Sequence, residues 1–369
     1  MSSPAGIGGA ERVVLDLCDQ VPGDHLIVNV WTAGPRNDGL ASAAGASGYQ
    51  AVPGSKKRDI PRVGYQLVRA LEKYRPDIVH AHLFHATIGV ACLPRRHVGL
   101  KVATHHHSDI LIHEGQHVRL LAERLALRRF EAIVAVSEAT RNYLESLGIP
   151  DSRLRVIRNG WSGKPRTPVA VREPTVVSVA HLRPAKGIDV LLRACAQLRR
   201  QFPDLKVRIA GDGDDRSRLE DLARQLDLTS SIEWLGWVDD VWPVLARADV
   251  FALPSRYESL GIAAIEAMAA GLPVVASDVG GLSELITPGA QGFLVPHGDV
   301  EALANALATV LGDDKLRAAQ ARAARTAGAG MAAREMALDY LALYQACCED
   351  RGRGRFGRSV RQHSAPRDK

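Results

Sequence analysis

The sequence predicts an α/β protein built from two Rossmann-like parallel-sheet domains that face each other across a cleft. Its 369 residues exceed what one hydrophobic core usually serves, so two domains are expected. Short runs of β-branched residues alternate with amphipathic segments whose apolar residues recur at three- and four-residue steps. The alternation pauses at a proline-rich link, 164–174, and then resumes. This pattern is typical of two parallel sheets, whose ligands bind beyond the carboxyl ends of the strands.

The predicted strands lie on both sides of this link, at 77–81, 100–104, 132–136 and 155–157 before it, and at 175–179, 206–210, 231–235, 249–253, 273–276 and 292–295 after it. The first domain is therefore placed at 1–163 and the second at 170–330. A helix at 331–348 is expected to pack back toward the first domain. The tail 350–369 is basic, has almost no apolar residues and is expected to be disordered.

The start of the first domain departs from this pattern. The segment Gly8-Gly9-Ala10-Glu11-Arg12 opens a helix, but only seven residues precede it and they contain no apolar strand. A glycine-rich turn in such a fold should follow the first, central strand. The first strand of this domain is therefore predicted to be missing, with the true start expected upstream.

Composition narrows the class of protein. No run of eighteen apolar residues occurs, and the first ten residues lack the basic start and apolar core of a secretory signal. Five cysteines without a CxxC pair are expected to be reduced thiols in a cytoplasmic protein.

The charges are unevenly distributed along the chain. Residues 1–165 carry 21 Lys/Arg against 15 Asp/Glu, whereas 166–350 carry 19 against 25. The basic half is interpreted either as solvated surface or as a face for an anionic membrane or acceptor.

Two glutamates, Glu258 and Glu266, lie in the segment 254–273, which reads PSRYESLGIAAIEAMAAGLP. A strand is expected to end just before it, and a helix to run from about Gly261 to Gly271. Glu258 then lies on the loop at the strand's carboxyl end, which suits sugar hydroxyls. Glu266 lies just inside the helix, which suits ribose hydroxyls. The backbone N–H groups of 259–262 lie at the helix N-terminus and could bind a phosphate; the alternative is two solvated helix glutamates.

A lysine and a glycine pair follow two further strands. Lys186 lies beside a glycine that starts a helix, where it could neutralise a diphosphate, although a surface lysine is the alternative. Gly211-Asp212-Gly213 is half of a dinucleotide fingerprint, and a tight strand-to-helix turn explains it equally well.

Nine of the thirteen histidines fall between His80 and His117, including the run His105-His106-His107. A zinc cluster is one interpretation, but the spacing matches no common ligand pattern. Neighbours at one strand end also point in opposite directions. His80 and His82 are expected to be structural, at the end of a half-buried strand.

These segments resemble the family 4 (group 1) retaining glycosyltransferases of the GT-B fold, whose signature is two glutamates separated by seven residues. The resemblance extends from Gly8 to about Tyr344. Besides the glutamates and the glycine segment 8–12, it includes RPDIVHAH at 75–82, VSE at 136–138, IRNG at 157–160, and the segments 182–187, 210–213 and 278–281.

The resemblance implies roles for individual residues. Glu258 would contact the donor sugar, Glu266 the ribose, and His106 the donor sugar, where it helps stabilise transition-state charge; His105 or His107 could replace it by a small shift. Family members often have arginine where His181 stands, so the second cation would here be Arg183. The implied donor-binding residues are Arg183, Lys186, Gly211, Gly236 of the base-binding loop, Glu258, Ser259, Leu260, Gly261 and Glu266. The catalytic ones are His106, Lys186 and Glu258, and Gly8 and Gly9 form an acceptor or phosphate loop.

The implied reaction is a front-face displacement that transfers the sugar of a nucleotide-diphosphate donor to a hydroxyl group. Whether the donor is of the UDP or the GDP type is undetermined. The acceptor is a glycan, a lipid-linked molecule or a small molecule. The expected setting is polysaccharide or glycoconjugate biosynthesis. No cofactor, metal ion or nucleic acid is expected, and Asp214-Asp215 and Asp239-Asp240 are interpreted as helix caps. The protein is expected in the cytoplasm, with a peripheral contact at the inner face of the membrane.

Three alternatives stay open at this point. A nucleotide-sugar-binding protein without turnover would follow from the missing strand. A sugar-nucleotide epimerase shares the fold and would need no acceptor. A nicotinamide-dependent oxidoreductase is disfavoured by the incomplete glycine motif.

Overall fold

The computed structural model describes residues 8–32, 48–53, 60–94, 98–106, 116–166, 168–169 and 172–350. Its chain divides into two compact units. Of the described residues, 160–332 form the C-terminal unit, and 8–159 together with 333–350 form the N-terminal unit. The expectations for His107 and for the tail beyond 350 lie outside the described residues.

The N-terminal unit alternates helices and strands. Its helices are α1 (Gly9–Gln20), α2 (Ile60–Tyr74), α3 (Leu83–Cys92), α4 (His117–Leu127), α5 (Glu138–Ser146) and, from the end of the chain, α13 (Ala333–Asp350). Its strands are β1 (Leu26–Thr32), β2 (Gly48–Pro53), β3 (Ile78–His82), β4 (Leu100–His105), β5 (Ala132–Ala135) and β6 (Leu154–Val156). Strands β3 to β6 form a parallel sheet in chain order, and β1 and β2 form a parallel pair of their own.

The C-terminal unit contains one six-stranded sheet. Its strands are β7 (Thr175–Val179), β8 (Lys206–Ala210), β9 (Ile232–Gly236), β10 (Val250–Leu253), β11 (Val274–Ser277) and β12 (Gly292–Val295). They are all parallel and lie in the order β12-β11-β10-β7-β8-β9. Its helices are α6 (Ile188–Leu198), α7 (Arg216–Gln225), α8 (Trp242–Leu245), α9 (Ile262–Ala270), α10 (Leu282–Leu285), α11 (Val300–Gly312) and α12 (Asp314–Ala329).

Burial of both sheet faces explains why these strands are apolar throughout. All residues of β5, β10 and β11 are buried, as expected for parallel strands covered by helices on both sides. The predicted two-domain α/β fold is confirmed, and β7, β8 and β12 have the predicted bounds. In the core of the C-terminal unit, α6 and α11 pack against strands β7, β8, β10, β11 and β12.

The two units differ at their first strand. In the C-terminal unit β7, the first strand, lies inside the sheet between β8 and β10. In the N-terminal unit no strand precedes α1 among the described residues, and the pair β1–β2 lies outside the four-stranded sheet. This agrees with the predicted lack of a first strand.

The expectation that both aspartate pairs cap helices is half wrong. Asp240 lies one residue before Val241, the N-cap of the short helix α8, and its carboxylate accepts the N–H of the first helical residue, Trp242, at 3.1 Å. Asp215 makes no capping hydrogen bond; both of its carboxylate oxygens accept from Arg218 instead, at 2.6 and 2.7 Å. A neighbouring guanidinium outcompetes the backbone N–H groups because its bond is charge-assisted and bidentate.

All five cysteines lie in the described part of the chain and are free thiols. Among the described residues, no helix combines the length and apolar character needed to cross a membrane.

Candidate functional site

The site in the C-terminal unit is built where β7 and β10 end. Lys186 lies on the loop that follows β7, and Glu258 lies on the loop that follows β10. Because β7 and β10 are parallel neighbours, their carboxyl ends bring the two loops together. The Lys186 Nζ donates to Glu258 Oε2 at 2.6 Å, with the two side chains 27% and 14% exposed. Lys186 and Glu258, which the sequence analysis places in one site, are therefore in direct contact.

Three further contacts fasten these loops to each other. The backbone N–H of Arg256 donates to the carbonyl of Ala185 at 2.8 Å. The Arg256 guanidinium binds both carboxylate oxygens of Asp189, in the first turn of α6, at 3.0 and 2.9 Å. Gly187 has φ +63°, and a Cβ there would overlap the carbonyl of Pro254. The Lys186 loop and the Glu258 loop thus form one rigid surface.

Burial alone would raise the pKa of Asp189. The hydrogen bonds and the charge of Arg256 outweigh burial, so its pKa is lowered. The Asp189 carboxylate is therefore charged at neutral pH and pairs with Arg256 as an anion.

A third loop holds the backbone of Glu258. The Glu258 carbonyl accepts the N–H of Gly281 at 3.2 Å. Gly280 has φ +52°, and a Cβ there would overlap the same carbonyl. The hydroxyl of Ser255, itself fully buried, donates to Glu258 Oε2 at 3.2 Å. Glu258 is therefore fixed through both its main chain and its side chain.

Helix α9 begins directly after this loop. Its N-cap, Gly261, has φ +97° and no side chain caps the helix. Leu260 is buried at 1% exposure, whereas Ser259 and Glu266 are partly buried. Glu266 lies in the second turn of α9, as predicted. The N-terminal end of α9 and the Lys186–Glu258 pair thus share one edge of the sheet.

The glycines of the β8 loop have a structural reason of their own. Gly211 has φ +136°, donates its N–H to the carbonyl of Gly236 at 2.7 Å, and leaves no room for a Cβ beside Ala180. A Cβ on Gly213 would overlap the carbonyl of Leu182. Close packing of the loops therefore explains both glycines, and their contact with a donor stays a prediction.

His181 lies beside the same loops. Its ring nitrogens are buried and make no hydrogen bond to any described residue. Burial lowers its pKa, and the charge of Arg183 lowers it further. A neutral imidazole cannot neutralise phosphate, so the cations at this edge are Lys186 and the exposed Arg183.

In the N-terminal unit, His106 and His82 form a pair at the ends of β4 and β3. The Nδ1 of His82 lies 2.9 Å from the Nε2 of His106, a hydrogen-bond distance, and the rings stack at 28°. Burial lowers the pKa of His82, and the charge of His80 lowers it further. His82 is therefore hydrogen-bonded to His106, the predicted catalytic histidine. The sequence predicted a structural role for His82 but not this bond.

His80 belongs to a separate network that reaches the last helix. Its ring nitrogens lie 2.6 Å from the hydroxyl of Tyr344 and 2.7 Å from that of Thr104. The Thr104 hydroxyl is also 2.8 Å from that of Tyr340. Burial lowers the pKa of His80 to about 3, with a smaller contribution from the charge of His106. His80 thus joins α13 to the strands that carry His82 and His106.

His105 has a different environment from His106. It is 5% exposed, lies 3.3 Å from the carboxylate of Glu123 on α4, and stacks on Tyr143. It therefore faces the core, so replacing His106 by His105 through a small shift does not fit this arrangement. Among the described residues, no three His, Cys, Asp or Glu side chains group closely enough to hold a metal ion.

The glycine segment at the start lies at the N-terminus of α1. Gly8 is the N-cap, with its carbonyl accepting the N–H of Arg12 at 2.9 Å, and Gly9 is the exposed first helical residue. A Cβ on Gly8 would meet only the end of the flexible Glu11 side chain, which can move aside. A role in binding an acceptor or phosphate stays a prediction.

Sequence reasoning missed the residues that support the site, namely Asp189, Ser255, Arg256, Gly280 and Gly281. Four of them lie in segments matched to the family, Ser255 and Arg256 in 254–273 and Gly280 and Gly281 in 278–281, but without a role of their own; Asp189 lies in none of these segments. The Arg256–Asp189 contact joins residues far apart in sequence, which no local spacing reveals.

Comparisons with known proteins agree with the fold. Residues 7–161 match the family model described as Glycosyltransferase Family 4, and residues 163–327 match the model of Glycosyl transferases group 1. A glycogen synthase of Mycobacterium tuberculosis is 32% identical over 286 residues, which cover 71% of this chain and 69% of that protein. A putative colanic acid biosynthesis glycosyltransferase of Escherichia coli, WcaL, is 33% identical over 251 residues, covering 64% of this chain and 61% of that protein.

Among solved structures, Anabaena HepE in complex with UDP-glucose has a TM-score of 0.79 to this chain at 22% identity. The match covers 95% of this chain and 98% of HepE. At this identity the likeness concerns the fold, which spans both units.

Proposed function

The chain belongs to the group 1, family 4 glycosyltransferases of the GT-B fold, and we propose that it moves a sugar, with retention, from a nucleotide-diphosphate donor to a hydroxyl acceptor. The pair Lys186–Glu258 carries this proposal. A cation suited to a diphosphate lies 2.6 Å from a carboxylate suited to sugar hydroxyls. In a nucleotide sugar the diphosphate and the sugar are likewise adjacent, so one donor could engage both side chains.

Each side chain at this edge has a proposed part in the reaction. Lys186, Arg183 and the N-terminus of α9 neutralise the leaving diphosphate. Glu258 accepts hydrogen bonds from sugar hydroxyls, and Glu266 from the ribose. The rigid loops fix these groups before the donor arrives, which supports electrostatic stabilisation without later reorganisation.

The proposed chemical step is a front-face displacement. The bond between the anomeric carbon and the leaving phosphate oxygen breaks, and the acceptor oxygen bonds to the same face of the sugar. A phosphate oxygen accepts the acceptor's proton on that face, so the anomeric configuration is kept. His106 stabilises the positive charge that develops on the sugar ring. The step as proposed uses neither a resident cofactor nor a metal ion.

The proposed setting is glycan biosynthesis in the cytoplasm. The names of the two curated relatives, glycogen synthase and a colanic acid biosynthesis glycosyltransferase, support a glycan or lipid-linked acceptor. The UDP-glucose bound to HepE supports the donor class. Five free thiols fit a reducing compartment.

Release of nucleoside diphosphate from a panel of UDP- and GDP-sugars, with and without glycan acceptors, tests the proposal. Lys186→Ala and Glu258→Gln should each remove nearly all release. Two matched controls should keep wild-type rates. Lys206→Ala changes a lysine at the start of β8, the end of the strand away from the site. Glu233→Gln changes a glutamate whose carboxylate binds Arg208. Full activity in either site variant would contradict the proposal.

The same assay distinguishes the two remaining alternatives. Donor binding without release would indicate a nucleotide-sugar-binding protein without turnover. Conversion of the donor to another nucleotide sugar without acceptor would indicate an epimerase.

A further inference from the structure

A groove opens at the amino-terminal edge of the C-terminal sheet, where β7, β8 and β9 begin. Its volume is about 420 Å³, in the range of sites that hold small organic molecules rather than a single ion. Because the strands are parallel, this edge is opposite the one that carries Lys186 and Glu258. Strands of five residues separate the two edges by about 15 Å. The groove is therefore distinct from the donor site.

The charge of the groove differs from that of the sequence around it. Residues 166–350 carry 19 Lys/Arg against 25 Asp/Glu. In the groove this balance is reversed, because four basic side chains face two acidic ones. The basic residues are Arg172, Lys206, Arg208 and Arg247, and the acidic ones are Glu173 and Glu233. The groove therefore favours a ligand that carries negative charge.

Arg208 is the least exposed of the four cations, and Glu233 orients it. Its Nε donates to Glu233 Oε2 at 2.7 Å, with the two side chains 17% and 55% exposed. This bond uses one of the five N–H donors of a guanidinium. It lowers the pKa of Glu233, against the effect of burial, and the charges of Arg208 and Arg247 lower it further. Glu233 is thus an anion that holds Arg208 in place at the groove.

Backbone hydrogen bonds fix the strand starts that form the groove. The N–H of Thr175 donates to the carboxylate of Asp249 at 2.9 Å. The N–H of Lys206 donates to the carbonyl of Pro174 at 2.8 Å, and that of Val207 to the carbonyl of Ser231 at 2.8 Å. A ligand therefore meets a surface that is ordered before it binds, which lowers the entropic cost of binding.

The mixture of groups matches a sugar acid better than a bare phosphate ion. A guanidinium pairs with a carboxylate through two parallel hydrogen bonds. Glu173 and Glu233 repel a concentrated double charge, but their carboxylates accept hydrogen bonds from sugar hydroxyls. Ser230 and Ser231, which also line the groove, can both donate to and accept from such hydroxyls.

We propose that this groove binds an acidic saccharide, whose carboxylates engage Arg172, Arg208 and Arg247. Its hydroxyls engage the carboxylates and serines of the groove. Such a site holds an acidic glycan on the protein away from the reacting sugar. The binding does not rest on the proposed transfer reaction, so it succeeds or fails independently of the activity assay.

Isothermal titration calorimetry of the full chain with digalacturonate tests the proposal. Three further probes are maltose, which is neutral, the dipeptide Glu-Glu, and inorganic phosphate. We expect digalacturonate to bind at least about tenfold more tightly than each of them, and less tightly as salt is raised. Arg172→Gln with Arg247→Gln, two exposed residues, should weaken its binding by about tenfold or more.

The matched control is Arg193→Gln with Arg200→Gln, which removes the same charge from exposed positions outside the groove and should bind as wild type. Melting curves should show both double variants folded. Lys206→Ala and Glu233→Gln remain controls for the donor reaction when it is assayed without an acidic saccharide, because they lie at the opposite edge of the sheet.

Four results would overturn the proposal. Equal binding of maltose would show that the charges of the groove have no part. Equal binding of Glu-Glu or phosphate would show that it recognises negative charge alone. Wild-type binding in the groove variant would assign digalacturonate to another part of the chain. An equal loss in the control variant would reduce the effect to net charge.

Discussion

The ammonium of Lys186 donates to the carboxylate of Glu258 at 2.6 Å. Both groups are proposed to bind the donor, one through its diphosphate and the other through its sugar. Glu258 and the diphosphate therefore compete for the positive charge of Lys186, so the ion pair weakens the attraction of Lys186 for the diphosphate.

The first prediction follows from this competition. Glu258→Gln removes the counter-charge of Lys186, so UDP or GDP alone should bind as tightly as to wild type or up to about tenfold more tightly. Lys186→Ala should weaken the same binding by about tenfold or more. Isothermal titration calorimetry measures both, with Lys206→Ala as the control. Weaker nucleotide binding in Glu258→Gln would show that the pair does not compete with the diphosphate.

The second prediction concerns the bond between His82 and His106. When both rings are neutral, one nitrogen of the pair must donate and the other accept, so the tautomer of His106 is coupled to that of His82. His82→Asn offers an amide near the Nδ1 position and should keep more activity than His82→Leu. The ¹⁵N shifts of the His106 ring should report a changed tautomer in His82→Leu. An unchanged tautomer there would exclude this positioning role, whatever the activity.

The third prediction is a pH dependence of stability. His80 has a pKa of about 3 in the folded chain, against an ordinary value of 6.5, so the unfolded chain binds more protons between these values. Stability should be complete above about pH 6.5 and fall by about 1.4 kcal/mol per pH unit below it. Melting curves at several pH values measure this, and His80→Gln should flatten the slope. An equally steep slope in His80→Gln would assign the dependence to other groups.

The fourth prediction concerns Gln320 on α12. Its side chain is fully buried, and its amide oxygen and nitrogen make no hydrogen bond to any described residue. Gln320→Leu keeps a similar volume and removes the unpaired amide, so it should raise the free energy of unfolding by about 1 kcal/mol. Gln320→Glu, a control of the same size, should lower it because a charge is then buried. Chemical denaturation measures both changes, and a clear loss of stability in Gln320→Leu would contradict this account.

Much of the fold could be predicted because its signals are local. The strands β7, β8 and β12 were bounded correctly, since each is a short apolar run between turn residues. β2 was not identified because it lies in the stretch 34–57, which is rich in small residues and has no clear period; β1 was missed although its run LIVNVWT is apolar and rich in valine.

The site was predictable to the extent that strand ends decide it. Lys186 and Glu258 were both placed at strand ends; they meet because β7 and β10 are neighbours, a strand order that only the structure shows. Their direct contact, the Arg256–Asp189 clamp and the His82–His106 bond depend on three-dimensional packing between distant residues. Sequence spacing does not encode such contacts, so only the structure shows them.

The most direct test of the central claim is a crystal structure of the chain with an intact or non-hydrolysable nucleotide sugar. The account predicts the diphosphate within about 3.5 Å of Lys186 Nζ and Glu258 bonded to hydroxyls of the sugar. A donor bound elsewhere, with Lys186 and Glu258 contacting each other and not the donor, would contradict it.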